Sequence, residues 1–374
     1  MIPQLRQKKG PLRVCHLISG DLWAGAEVMS WNLLRKLHER SDLEISIILM
    51  NEGRLAEELR TLGLPVQVID ERNVPFHKLL LATRAFLREK SPQVIHSHRY
   101  KENILAFLGR SSGVNSRLVA TEHGVPESNY GDFRMEGRII TRLDRILLAR
   151  QFDRLVTVSY EIRDRFIGQY GFSSTKVSVI HNGIELPGEI TPARFGSSIV
   201  AGSAGRLFPV KDYLLMVEIA RVVAARKAPL RFELAGEGPE RGRLEERLAE
   251  SGLRESFRLC GQVEDMAGFY SGLDFYLNTS INEGIPMTIL EAMAHGMPVV
   301  APKVGGISEI IEDGVEGFLV PTRDPNAFAE KCLSLQNAEL RVQMGRAARA
   351  KVESCFSDDL MARQYYQLYR ELAG

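Results

Sequence analysis

Short apolar runs alternate with longer stretches of helical period along the whole chain. Residues 12–18, 45–50, 65–69, 94–96, 118–121, 155–158 and 177–180 read as strands. Between them, residues 27–39 read as a helix, with Val28, Met29, Trp31, Leu34 and Leu37 near helical spacing, and 54–62 and 77–90 read as two more. Residues 185–198, with Pro187, Gly188 and Pro192 before Gly196-Ser197-Ser198 and little periodicity, read as a linker. The alternation then restarts. Strands are expected at 199–204, 231–235, 257–259, 275–278, 299–301 and 318–320, and helices at 212–226, 240–251, 266–271, 286–295 and 307–311. The tail from Ala327 is mainly helical.

This alternation predicts an α/β protein of two parallel-sheet domains, residues 1–188 and 189–357, facing each other across a cleft. Ligands in such sheets sit beyond the carboxyl ends of the strands, where strand order reverses. Chemistry is therefore to be sought in the glycine-rich and polar clusters at those ends.

Composition narrows the field. The 374 residues suit two domains, and net charge +1 removes bulk electrostatics as an argument for nucleic-acid binding. No run approaches the roughly 20 apolar residues a spanning helix needs. The first apolar run, 14–19, contains His16 and is too brief for a secretory core. The four cysteines are far apart with no CxxC pair, so a reduced cytoplasmic setting is expected.

Four segments carry candidate chemistry. In the first, Glu283 and Gly284 precede a helix that Pro286 opens and Gly296 and Pro298 close; Glu291 lies inside it. The helix N-terminus, with free amides at about Met287 to Ile289, is a natural anion seat. A glutamate beside it suits the acceptance of hydrogen bonds from sugar or ribose hydroxyls. A capped surface helix with solvated glutamates fits the same pattern. In the second, Gly205-Arg206-Leu207 leaves a strand and Lys211 follows, which fits a diphosphate; taken alone, these are two ordinary surface cations. In the third, Gly25 and Ala26 in the loop 19–27 allow close backbone approach to a ligand, or make a simple turn. In the fourth, Thr121-Glu122-His123-Gly124 ends a strand, where His123 is a polar partner or an acid/base. His96, His98 and His181 give weaker signals of the same kind, and no metal-site spacing such as HExxH occurs. Gly236-Glu237-Gly238-Pro239 approximates a dinucleotide fingerprint, but its third glycine, Gly242, comes one place late.

Glu283 and Glu291, the segment from Ala292 to Val300, Gly205-Arg206-Leu207 with Lys211, Ala235 to Pro239, Asn182-Gly183-Ile184, and Gly305-Gly306 before Glu309 occur together. The combination closely resembles the retaining glycosyltransferases of family GT4 (glycosyl transferases group 1). The likeness spans almost the whole chain and is strongest over 199–325. It implies the GT-B fold, two Rossmann-like doubly wound domains, with a nucleotide-sugar held mainly by the second and a last helix, 358–374, crossing back onto the first. It implies that Arg206 and Lys211 neutralise the donor diphosphate and that Glu291 accepts from the ribose. Glu283 holds the transferred sugar with the backbone of Gly284, Ile285, Met287 and Thr288. His123 faces that sugar near its reacting carbon. Gly25 completes the phosphate pocket or borders the acceptor, Gly205 and Gly236 line the donor site, and Val263 lies against the base. The catalytic set implied is His123, Glu283, Arg206 and Lys211.

The implied reaction moves a sugar from a UDP- or GDP-linked donor to a glycan or lipid-linked acceptor, in bacterial surface polysaccharide or glycolipid synthesis. The anomeric configuration is retained by front-face displacement. No metal or other cofactor is expected, because the two cations replace it. The first loop, Trp-Ala-Gly-Ala-Glu, departs from the family's Gly-Gly pair, and Pro286 removes one amide from the sugar loop. A nucleotide-sugar epimerase of the same architecture and a catalytically silent partner subunit are the alternatives. The Glu283–Glu291 spacing with Gly-Arg-Leu argues against the first, and the intact polar set against the second.

Over 134–150, Arg134, Arg138, Arg142 and Arg145 recur at helical spacing, interleaved with Ile139, Ile140, Leu143, Ile146 and Leu147. The reading adopted is a helix packed on the first sheet with a solvated basic edge. The alternative is peripheral contact with an anionic membrane at its inner face. The base, sugar, acceptor, linkage and oligomeric state stay open at this level.

Overall fold

The computed structural model describes residues 10–21, 23–110, 115–124, 135–188 and 199–374. Leu22 of the first loop, Arg134 of the basic segment and residues 189–198 of the expected linker lie outside these. Among the described residues there are two parallel sheets. The first holds β1 (Leu12–Ile18), β2 (Leu43–Leu49), β3 (Val66–Val68), β4 (Val94–Ser97), β5 (Arg117–Glu122), β6 (Arg154–Thr157) and β7 (Val177–Val179). Their order is β3-β2-β1-β4-β5-β6-β7. The second holds β8 (Ile199–Ala204), β9 (Leu230–Ala235), β10 (Phe257–Gly261), β11 (Phe275–Leu277), β12 (Val299–Pro302) and β13 (Gly317–Val320), in the order β10-β9-β8-β11-β12-β13. Each chain segment starts mid-sheet, winds outward, then returns to the centre and winds the other way. The strands are near-continuous apolar runs because helices cover both faces.

Two helices were not visible as apolar periods. Tyr100–Arg110 buries Glu102 and Asn103 on its inward side, which breaks the apolar stripe. Tyr160–Gly168 is short and buries only Ile162 and Phe166. The helical tail divides into Pro325–Ser334, Ala338–Cys355 and Asp358–Ala373, whose first turns are capped by the side chains of Asp324, Asn337 and Ser357.

The last of these helices packs on the first domain, against the helix Gly25–His38, β1 and β4. Asp358 pairs with Arg35 at 2.6 Å, and a bridge between Ile184 and Ser357 marks the crossing. One hydrophobic core runs from the first sheet through the helix Met287–Ala294 to the final helix, and a second fills the other face of the second sheet.

The helix Met135–Gln151 departs from the expectation. Leu148 is buried, but Ile139, Ile140, Leu143 and Ile146 are exposed, Leu143 at 60%. The apolar residues occupy more than one side, and the sheet can accept only one. Arg145 stacks its guanidinium 3.6 Å from the Tyr170 ring centre, so it is not a solvated edge charge. Arg142 is exposed. Among the described residues, no helix is long and apolar enough to cross a membrane.

Candidate active site in the interdomain cleft

The topology places the site before any side chain does. In the first sheet strand order reverses between β1 and β4, in the second between β8 and β11. The loop after β1 and the end of β5 meet the loop after β11 across the cleft. A Cβ added to Gly25 would lie 3.7 Å from Met287 Cγ, so the first helix of one domain starts opposite the helix Met287–Ala294 of the other. A Cβ on Gly284 would fall 2.5 Å from the carbonyl oxygen of His123. Only glycine lets the loop after β11 touch the end of β5 in this way.

On the second domain, glycines pack strand ends. Gly205 and Gly236 adopt φ of +153° and +141°, and a Cβ on Gly236 would lie 1.9 Å from the Gly205 carbonyl. The Gly236–Gly238 pattern therefore serves close packing of the loops after β8 and β9, where Leu207 N–H donates to the Glu237 carbonyl at 2.9 Å. Arg206 follows at once, half-buried, its guanidinium 4.9 Å from the Phe208 ring centre. Its charge acts on Glu27 across the cleft.

Lys211 ends a short 3₁₀ turn, Pro209–Lys211, and its Nζ donates to Glu283 Oε1 at 2.7 Å. Ser280 Oγ donates to the same oxygen at 2.6 Å. Thr279 Oγ1 donates to the Lys211 carbonyl at 3.0 Å, which ties the two loops together. Arg323 locks them further: it donates to the carbonyls of Ser280 (2.8 Å) and Thr279 (2.6 Å) and pairs with Asp212. Beneath them Gly305 and Gly306 press on the backbone of Glu283 and Gly284, where an added Cβ would come within 2.0 Å of each carbonyl.

Pro286 caps the helix rather than opening it, and Ile289 N–H already donates to the Pro286 carbonyl at 3.2 Å. The anion seat is therefore narrower than the sequence suggested, with Met287 and Thr288 as its leading amides. Ile285 is buried in the core, and its carbonyl accepts from Asn182 Nδ2 at 2.8 Å. Further along the helix, Glu291 accepts from the Tyr270 hydroxyl at 2.6 Å. Burial raises its carboxyl above the ordinary range, with the Tyr270 hydrogen bond opposing. Val263 lies just beyond β10, whose last carbonyl, that of Gly261, accepts from Gly236 N–H at 2.7 Å.

On the first domain, Arg99 donates to Glu27 at 2.6 Å and Asp21 at 3.1 Å. Glu27, in the first turn of the helix Gly25–His38, is fully buried, and its Oε2 has no partner among the described residues. His123 Nε2 contacts His98 Nδ1 at 3.2 Å. Burial, helped by Arg99, pushes the His123 imidazole down to about 3.

A second tie holds the halves together. Glu309, at the end of the segment that begins with Gly305, accepts from the first amides of the helix Tyr160–Gly168 (Tyr160 N–H 2.9 Å, Glu161 N–H 3.0 Å) and from His181 Nε2 at 3.0 Å. Those donors hold its carboxyl below the usual range against the effect of burial.

Among known proteins, a family model described as Glycosyltransferase Family 4 matches residues 23–186, and one described as Glycosyl transferases group 1 matches residues 198–338. The chain belongs to the family 4, group 1 glycosyltransferases. Its relatives include an Escherichia coli UDP-Gal:alpha-D-GlcNAc-diphosphoundecaprenol alpha-1,3-galactosyltransferase, 22% identical over 94% of this chain and 95% of that one. An Erwinia amylovora amylovoran biosynthesis glycosyltransferase is 30% identical over 60% of this chain and 58% of its own length. The solved Anabaena HepE structure in complex with UDP superposes with TM-score 0.81 at 20% identity, covering 96% of this chain and 100% of that one. The fold is GT-B.

Within this glycosyltransferase, the structure brings together Lys211 with Glu283, His123 with Gly284, and Gly25 with Met287. Sequence reasoning missed Arg323 and Tyr270, which hold two of its chosen residues in place, and the clamp formed by Glu309 with His181. Arg323 carries no local signal; Glu309 carried one, through the glycines before it.

Proposed function

We propose that this glycosyltransferase moves a sugar, with retention, from a UDP- or GDP-linked donor to a hydroxyl of a glycan or lipid-linked acceptor in bacterial surface polysaccharide or glycolipid synthesis. The observation that carries the reading is the Lys211–Glu283 contact at 2.7 Å, beside the start of the helix Met287–Ala294 and opposite Gly25. A cation, a carboxylate and a helix N-terminus in one cleft suit a diphosphate bonded to a sugar.

In this reading Arg206, Lys211 and the Met287 and Thr288 amides bear the charge that develops on the leaving diphosphate. The bond from the anomeric carbon to the phosphate oxygen breaks, and the bond to the acceptor oxygen forms on the same face. The acceptor proton passes to the departing phosphate. Glu283 and the Gly284–Ile285 backbone hold the sugar, Glu291 the ribose, and His123 stands beside the sugar across the cleft. Gly205, Gly236 and Val263 border the nucleotide. The side-chain cations take the part of a metal, so transfer persists in chelator.

The acceptor assignment draws on the relative named for a diphosphoundecaprenol substrate and on the exposed aliphatic row of the helix Met135–Gln151, flanked by exposed Arg142 and Arg150. Such a face suits peripheral contact with an anionic leaflet on the cytoplasmic side.

The test is a thermal-shift series with UDP-, GDP- and ADP-sugars. A donor at 100 times its Kd adds about 2.7 kcal/mol of stability. The shift is expected for one base and is reduced in Arg206→Ala and Lys211→Ala. Absence of any shift overturns the proposal.

A further inference from the structure

Four histidines converge where the first sheet meets the cleft. His16 lies on β1 in register with His96 on β4; His98 lies just beyond β4 and His123 just beyond β5. Their ring centres are 4.3–5.7 Å apart from neighbour to neighbour. Three of them join in a line: His16 Nδ1 is 3.4 Å from His98 Nε2, and His98 Nδ1 is 3.2 Å from His123 Nε2. The ends of the line, His16 Nε2 and His123 Nδ1, are buried without a partner among the described residues. His96 stands aside, with both nitrogens engaged, one by the Tyr369 hydroxyl at 2.6 Å and the other by Thr121 Oγ1 at 2.8 Å. The ring nitrogens of His16, His96 and His98 lie within 4.8 Å of one another. Because His96 has no free nitrogen, the cluster is a hydrogen-bonded line rather than a metal cage.

Burial holds the three linked imidazoles neutral. A neutral imidazole has one N–H and one lone pair. The two contacts can then be made in only two ways: all three rings protonated on Nδ1, or all three on Nε2. The Nε2 form leaves His16 with an N–H sealed in the core. The Nδ1 form leaves His16 an unfilled lone pair and moves the orphan N–H to His123 Nδ1. Each form thus strands one N–H, but His16 is sealed in the core, whereas the His123 backbone meets Gly284 at the cleft, where a ligand oxygen can satisfy the donor.

We propose that His98 is a positioning residue, which with His16 fixes His123 as an Nδ1–H donor toward an oxygen of the transferred sugar. His98 touches no substrate in this scheme; it acts by setting the tautomer of a residue that does. The inference rests on the proposed reading of His123 as facing the sugar.

The experiment uses the full chain labelled with ¹⁵N-histidine, in which eight residues report. His123 is assigned by loss of its signals in His123→Ala. Wild-type His123 is expected to show a protonated Nδ1 and a bare Nε2. A protonated Nε2 on His123 overturns the proposal, and this readout stands whether or not any His98 variant folds. His98→Leu is expected to release His123 into a mixture of tautomers. It should lower kcat about tenfold, with donor KM within about twofold, the size of one hydrogen bond lost in the transition state. His98→Gln carries an acceptor and a donor on one amide and should restore the wild-type tautomer and most of kcat. A folded His98→Leu protein with an unchanged His123 signal, or equal kcat in the Leu and Gln variants, also overturns it. If instead His123→Ala transfers sugar at the wild-type rate, the sugar-side reading of His123 falls, while the nitrogen signals still decide the tautomer line.

Discussion

Lys211 Nζ donates to Glu283 Oε1 at 2.7 Å. The two side chains proposed for the diphosphate and the sugar are thus held in one unit, with Ser280 on the same carboxylate oxygen. Lys211→Ala should weaken nucleoside-diphosphate binding by about 10–100-fold, the scale of a charged hydrogen bond. Glu283→Gln keeps an acceptor for Ser280 and should leave nucleotide affinity within a few-fold while kcat falls. Calorimetric titration with the nucleoside diphosphate, beside steady-state kinetics, separates the two. Equal loss of nucleotide affinity in both variants would contradict the division of labour.

Glu309 bridges the domains by capping a helix that belongs to the other one. Glu309→Ala strips an acceptor from the amides of Tyr160 and Glu161 and from His181, and should cost about 1–2 kcal/mol, the size of a lost helix cap. Glu309→Gln retains one acceptor oxygen and should lose less. Urea unfolding of the two variants measures the difference, and a Gln variant as unstable as the Ala variant would assign the effect to charge alone.

Stability should be greatest between about pH 6 and 7. Burial lifts Glu122 to about 8 and Glu102 to about 7, against 4.5 in an unfolded chain. The folded state therefore binds more protons at these sites, and stability falls as pH rises from about 4.5 to 8. The histidines act in the opposite sense. His16 and His123 sit near 3 against 6.5 unfolded, and His96 and His98 are also held well below 6.5. The unfolded chain takes up protons there first, so stability falls as pH drops below 6.5. Asp144, lifted to about 6, and Glu291, also raised, join the two glutamates and partly offset the four imidazoles below pH 6.5. Above 6.5 the imidazoles no longer contribute, so melting temperature should fall from pH 6.5 to 8; a rise over that interval would contradict the buried carboxyls.

The exposed row on the helix Met135–Gln151 should direct membrane binding. Leu143→Glu, and more so Ile139→Glu with Leu143→Glu, should reduce co-sedimentation with phosphatidylglycerol vesicles while leaving the melting temperature unchanged, because these side chains are exposed at 54% and 60%. Binding of the double variant equal to wild type would remove the lipid surface from consideration.

The strands were legible because a parallel sheet covered on both faces demands unbroken apolar runs, as in Leu12–Ile18 and Ile199–Ala204. The donor side was legible because its glycines, cations and glutamates stand at strand ends close together in sequence. What joins distant strands was not. His16, His98 and His123 meet only because β1, β4 and β5 are neighbours, and Arg323 reaches the Glu283 loop from beyond β13. The helix Met135–Gln151 was misjudged because an amphipathic period says which residues share a face, not whether that face is covered.

The helix Asp358–Ala373 follows the whole second domain in sequence, yet its Tyr365 and Tyr369 hydroxyls seal the Thr121 and His96 side chains of the first sheet. The amino-terminal half therefore waits through synthesis of the whole second half with its histidine floor uncovered. Loss of this sixteen-residue helix should leave that floor open to water, so chains that stop short of it fail as a unit rather than yielding a finished first lobe.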